Sequence, residues 1–110
     1  MDTKLSQDMA PTAGFAAEML AKATVTTVFL KSLSHPSRLV VLCRLAERPA
    51  KVGELAAMLN LPQAEGSRHL AGLRTDGLVT TRRDGRNVTC SLSEARTARI
   101  VQVLHAEFCT

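Results

Sequence analysis

The sequence predicts a mainly α-helical domain, a winged helix-turn-helix with one β-hairpin wing. Three observations carry that reading. Two helical segments flank a tight break at Asn60-Leu61-Pro62, within the compass of about 25 residues that a helix-turn-helix occupies. Asp84-Gly85 follows between two extended runs, the strongest short-range hairpin signal. Further helical segments stand before and after this unit.

The chain has 110 residues, of which 45% are hydrophobic and 22% charged. That suits one ordinary globular domain with a single core. No apolar run approaches the ~18–20 residues of a membrane span, so no membrane partner is expected. The opening residues, Met1 to Thr12, contain no apolar stretch of the secretory type, which makes a cytoplasmic location the expectation. A net charge of +4 permits nucleic acid as a partner without requiring it. With no Trp or Tyr and three Phe, a base-stacking platform for single strands is disfavoured.

Each element has a local reason. Residues 1–13 carry Pro11 and no apolar period, so they read as a flexible N-terminal tail, with the folded domain spanning 14–110. Phe15 to about Ser32 favours helix, although the β-branched stretch Thr24 to Val28 weakens it. Phe15, Met19, Ala23 and Thr27 fall at i, i+4 spacing as one stripe. Ser34-His35-Pro36 reads as a helix start, with Ser34 as the cap and Pro36 in the first turn. That helix runs from Ser37 to about Arg48 and stops at Pro49, with Leu39, Leu42, Cys43 and Ala46 on one face.

Val52 to Leu59 and Gln63 to Asp76 are the paired helices, closed by Gly77. Leu55, Leu59, Leu61, Leu70 and Leu73 form their apolar seam. Leu78 to Arg83 and Arg86 to Leu92 are strands around an Asp84-Gly85 turn of type I′. Ser93-Glu94 opens a last helix to about Phe108, with Ile100, Val101, Val103, Leu104 and Phe108 apolar.

In this architecture the second paired helix enters the major groove of DNA. Its outward residues Gln63, Ala64, Ser67 and Arg68 are short or suited to base edges: Gln to adenine, Arg to guanine, Ser to base or phosphate. His69 reads as a packing residue or a phosphate contact. Arg82, Arg83 and Arg86 near the hairpin tip suit phosphate or the minor groove. From Pro62 to Leu92 five arginines face three carboxylates, so the basic excess of this half is small. Gly66 in the middle of the reading helix costs about 1 kcal/mol relative to Ala; it either loosens the helix or admits another backbone.

The motifs Leu30-Lys-Ser-Leu-Ser-His-Pro-Ser-Arg-Leu39, Val52-Gly-Glu-Leu55, Ser67-Arg-His-Leu70 with Leu73-Arg74, Asp76-Gly-Leu-Val79 and Arg83-Asp-Gly-Arg86 resemble the ArsR/SmtB-type bacterial repressors. The resemblance covers about Leu30 to Phe108. It implies a homodimer joined through the first and last helices, bound to an inverted-repeat double-stranded DNA operator and released by an inducer. The family's thiolate metal site needs a Cys-x-Cys-type cluster before the paired helices, where this chain has Val52-Gly-Glu-Leu-Ala-Ala. Its last-helix metal site maps to Glu94, Arg96, Glu107 and Thr110; Arg96 cannot bind a metal and Thr110 is a poor ligand. Neither a metal nor another cofactor is therefore expected.

What remains is Cys43 and Cys109, which resembles the family's dithiol branch, whose members sense reactive sulfur species or oxidants. That resemblance implies a thiol switch in which the two cysteines become linked through sulfur. Taken alone, Cys43 equally reads as a small buried hydrophobe and Cys109 as a lone terminal thiol. His105, four residues before Cys109, is a neighbour able to lower its pKa or a plain surface histidine. Cys90 has no counterpart in the resemblance. With three cysteines and no CxxC, at least one thiol has no intramolecular partner. Two other functions stay open: a metal- or metalloid-responsive repressor of the same fold, and a winged helix that binds protein instead of DNA. An enzyme is not expected, because no nucleophile, base and orienting group share a constellation.

Overall fold

A computed structural model describes residues 13–109. The chain order is α1 (Ala13–Ser32), α2 (Pro36–Glu47), β1 (Ala50–Lys51), α3 (Val52–Met58), α4 (Gln63–Thr75), β2 (Val79–Asp84), β3 (Asn87–Leu92) and α5 (Ala95–Phe108). This is the expected mainly helical, winged architecture. The tail assigned to residues 1–13 lies outside the described residues, except that α1 already begins at Ala13.

The core gathers one face of each element after α1. Val41, Leu42 and Leu45 of α2, Leu55 of α3, Leu70 and Leu73 of α4, Val79 and Cys90 of the sheet and Val101 of α5 are buried together. Of the seam expected between α3 and α4, Leu55, Leu70 and Leu73 are fully inside while Leu59 and Leu61 are half-buried. Among the described residues no helix is long and apolar enough to cross a membrane.

α1 is helical throughout, including its β-branched stretch. Thr24 and Thr26 donate their hydroxyls to the carbonyls of Leu20 and Lys22, and Thr27 to that of Thr24. These bonds satisfy the hydroxyls without breaking the helix. The expected stripe is largely uncovered in the protomer: Phe15 and Ala23 are half-buried, and Met19 and Thr27 are exposed. Leu20, Val25, Val28 and Leu30 are more than half exposed. One contact with the rest of the chain lies where Val25, Thr26 and Phe29 meet Arg96 and Ile100 of α5.

The start of α2 differs from expectation. His35, not Ser34, is its N-cap, with no side-chain cap bond. The Ser34 hydroxyl donates instead to the carbonyl of Lys31, finishing α1. Pro36 takes the first helical position as expected, where its missing N–H costs nothing.

The break between α3 and α4 is a complete C-terminal closure. Asn60 adopts φ 57°, and Leu61 N–H and Asn60 N–H donate back to the carbonyls of Ala56 and Ala57, the Schellman pattern. α4 ends the same way: Gly77 has φ 78°, with Leu78 N–H to Leu73 and Gly77 N–H to Arg74.

The wing holds two corrections. First, a short strand unseen in the sequence, β1, pairs Ala50 with Cys90 and Lys51 with Thr89, making a three-stranded sheet of order β1-β3-β2. Two residues are too few for a periodic signal. Second, Asp84 lies in the strand opposite Asn87, so the two-residue loop is Gly85-Arg86 and not Asp84-Gly85. Only Gly85 has positive φ, at 63°, which matches the II′ hairpin with glycine first and not type I′.

Candidate functional site

Two regions concentrate the chemistry. The first is a cleft of about 540 Å³ between α4 and the wing. Gln63, Ser67 and Arg74 of α4, Lys51 at the start of α3, and Arg83, Arg86 and Asn87 of the wing line it. α4 presents Gln63, Ser67 and Arg74 because they fall on one stripe at i, i+4 and i+11. The wing arginines point out because the tip of a two-stranded hairpin has no covering layer. Arg74 is held by a hydrogen bond from its Nη1 to Thr81 Oγ1 at 3.2 Å, which ties the reading helix to β2. Glu54 takes the backbone N–H of Lys51 at 3.2 Å and lies 3.9 Å from Arg44, so the one carboxylate of the cleft already has partners.

The structure thus brings together Gln63, Ser67, Arg83 and Arg86 of the residues expected to face DNA. Ala64 and Arg68 are exposed on α4 outside this cleft, and Arg68 makes an ion pair with Glu65 at 3.4 Å. His69 is half-buried. Lys51, Arg74 and Asn87 line the same cleft and are not among the residues the sequence pointed to as facing DNA. The helical stripe through Gln63 and Ser67 extends to Arg74 and could have found it; Lys51 depends on β1 and had no sequence signal.

The close packing of α3 and α4 settles Gly66. A Cβ built on Gly66 would stand 2.7 Å from the Cβ of Ala56 and 3.2 Å from its Cα. The glycine admits the backbone of α3, which decides between the two readings of it.

The second region lies between α2 and α5. A groove of about 470 Å³ is lined by Leu39, Val40 and Cys43 of α2, Met58 of α3, and Leu104, His105, Phe108 and Cys109 at the end of α5. Cys43 and Cys109 therefore share one largely apolar groove. Cys43 is half-buried and Cys109 exposed. Burial pushes the Cys43 thiol up from the ordinary thiol range, and a charge on Cys109 pushes it further the same way. Cys109 ends α5, its N–H donating to the carbonyl of His105 at 2.9 Å. Cys90 is fully buried in β3, away from this groove; burial raises its pKa and the Arg74 guanidinium opposes that rise. Among the described residues, no three His, Cys, Asp or Glu side chains cluster as a metal site.

Comparison with known proteins agrees with this fold. The sequence pattern of the family described as "Bacterial regulatory protein, arsR family" matches residues 35–81. The chain is 41% identical to the biofilm growth-associated repressor of Agrobacterium fabrum, over 83% of this chain and 78% of that protein. It is 38% identical to the transcriptional activator HlyU of Vibrio cholerae, over 84% of this chain and 85% of that one. Among solved structures, reduced HlyU from Vibrio cholerae superposes with a TM-score of 0.80 over 84% of this chain and 98% of that chain. The transcriptional repressor BigR from Xylella fastidiosa does so at 0.78, with 37% identity, over 86% of this chain and 97% of that one.

Proposed function

We propose that this chain, which belongs to the arsR family of bacterial regulatory proteins, is a homodimeric, thiol-switched repressor. It binds an inverted-repeat operator in double-stranded DNA and releases it when Cys43 and Cys109 become linked through sulfur. The observation that carries the reading is the single groove in which both thiols stand. Operator binding draws on the cleft that sets Lys51, Arg74, Arg83 and Arg86 beside the outward face of α4. The dimer draws on the apolar residues left uncovered on α1, together with Val103 and Phe108 of α5. The relatives named above include a repressor and an activator; repression is the direction proposed here.

The chemistry follows from the two environments. The exposed Cys109 meets the inducer first, while Cys43 stays protonated longer because of its burial. With a persulfide R–S–SH, the Cys109 thiolate takes the terminal sulfur and releases R–S⁻. The Cys43 thiolate then attacks the Cys109 sulfur and expels HS⁻, leaving a disulfide. Linkages with more sulfurs span a wider gap; a direct disulfide needs Cα atoms within about 7 Å. Because α5 also carries the exposed apolar residues of the dimer seam, a bridge at its end biases the angle between the two reading helices. Intact-mass spectrometry after persulfide and after peroxide, with peptide mapping of the linkage, tests the reading. A Cys43–Cys109 crosslink under persulfide is expected; reaction confined to unlinked cysteines would overturn it.

A further inference from the structure

Two of the sequence motifs have no use in the cleft or the groove: the Ser32–Arg38 corner and Asp76-Gly77. In the structure they meet. Asp76 caps the C-terminus of the reading helix α4. Its Oδ2 accepts a hydrogen bond from Ser32 Oγ at 2.5 Å and lies 3.3 Å from Arg38 Nη1. Ser32 is the last residue of α1 and only 2% exposed. Arg38 stands in the first turn of α2. Its guanidinium fills the space a side chain at position 72 would take, since a Cβ on Gly72 would collide with it. One carboxylate thus joins the ends of three helices.

We propose that Asp76 is a positioning residue for operator binding, fixing the reading helix to the dimerisation helix and thereby setting the spacing of the two half-sites the dimer accepts. The inference rests on the proposed roles of α1 and α4. Its physical basis is the way each helix is held. Near its N-terminus α4 is fixed by the contact of Gly66 with Ala56. Toward its C-terminus Leu73 and the Arg74–Thr81 bond hold α4 to the core and to β2, but α1 leaves most of its length exposed and needs a tie of its own to α4. The Asp76 node supplies that tie. The Arg38 and Asp76 side chains are 22% and 33% exposed, so their pairing is less screened than that of an open surface pair.

Two reading helices meet a palindrome only if their separation and angle match the helical repeat. A shift of one base pair between half-sites alters both. A dimer whose reading heads are rigidly tied to the seam discriminates sharply against that shift; a loosened one does not.

The test uses the intact protein and an operator selected by it from random duplexes, rebuilt with one base pair added or removed between half-sites, and as a single half-site. The wild type is expected to lose ~30-fold or more in affinity on either altered spacing. Asp76→Ala should lose ~10-fold on the native spacing, keep its half-site affinity, and differ by less than ~5-fold among the three spacings. Ser32→Ala should move the same way by less, and Asp76→Asn, which still accepts from Ser32, should restore most of the discrimination. Loss of a negative charge can only favour DNA electrostatically, so weaker palindrome binding by Asp76→Ala runs against the charge effect. Circular dichroism confirms folding, and Gly72→Ala, which displaces only the Arg38 end, serves as the milder variant. An unchanged spacing profile in folded Asp76→Ala, or an equal loss on the half-site, would overturn the positioning role alone. A wild type that binds no duplex would overturn the proposed function and this role with it.

Discussion

Gly66 and Ala56 bring the two helices of the reading unit to within one missing methyl group of each other: a Cβ at position 66 would stand 2.7 Å from that of Ala56. A helix gains about 1 kcal/mol when Ala replaces an interior Gly. Here the neighbour is backbone as well as side chain, and α3 cannot yield without moving Leu55 out of the core. We therefore expect Gly66→Ala to destabilise the fold, by about 1–2 kcal/mol net of the propensity gain, as read by urea unfolding. Ala56→Gly placed in the same chain should recover most of that loss. A Gly66→Ala protein as stable as wild type would mean the helices part easily.

That pair also marks where the sequence stops being legible. The helices, the break at Asn60 and the stop at Gly77 are visible because capping and positive φ are local matters. Gly66 was visible only as an anomaly, since its cause is a residue on another helix. β1 was invisible for a similar reason: Ala50 and Lys51 become a strand only because β3 lies beside them. The turn was misplaced by one residue, because Asp-Gly and Gly-Arg are both allowed and strand register decides between them. In the site, Cys43 and Cys109 were paired through the resemblance alone. Their sharing a groove with Met58, from a third helix, follows from packing.

The uncovered face of α1 gives a prediction about assembly. Leu20 and Val28 are 68% and 53% exposed in the protomer. Replacing both with Glu should leave the protomer folded, because neither side chain is buried within it. In the dimer two charges per subunit would lose their water. Sedimentation equilibrium at micromolar concentration should show a dimer for wild type and mostly monomer for Leu20→Glu, Val28→Glu.

In the cleft, Arg86 sits in the hairpin loop and Ser67 on the outward face of α4. Arg86→Ala should weaken binding to all DNA sequences alike and reduce the slope of log affinity against log salt by ~1. Ser67→Ala should leave that slope unchanged and relax base preference at one position. A loss confined to the operator on replacing Arg86 would show that the wing reads bases.

The raised pKa of Cys43 sets a pH dependence. Alkylation follows the thiolate, so Cys43 should react with iodoacetamide at a higher pH than a free cysteine peptide does. Cys109→Ser removes the like charge and should shift that profile down, leaving the part due to burial. The same shift bears on stability. A folded-state pKa above the unfolded one contributes stability that is complete below the ordinary thiol range and is lost as pH rises through the folded value. Both Cys43 and Cys90 act in this sense. Unfolding free energy should therefore fall with rising alkaline pH in wild type, and fall less in Cys43→Ser.

Operator release by persulfide in a set of cysteine variants, followed by fluorescence anisotropy, tests the central claim most directly. Cys43→Ser and Cys109→Ser should each bind operator like wild type and ignore persulfide. Cys90→Ser should respond as wild type does, because Cys90 is sealed within the sheet and away from the groove. Full persulfide release of the Cys43→Ser, Cys109→Ser double variant would contradict the account.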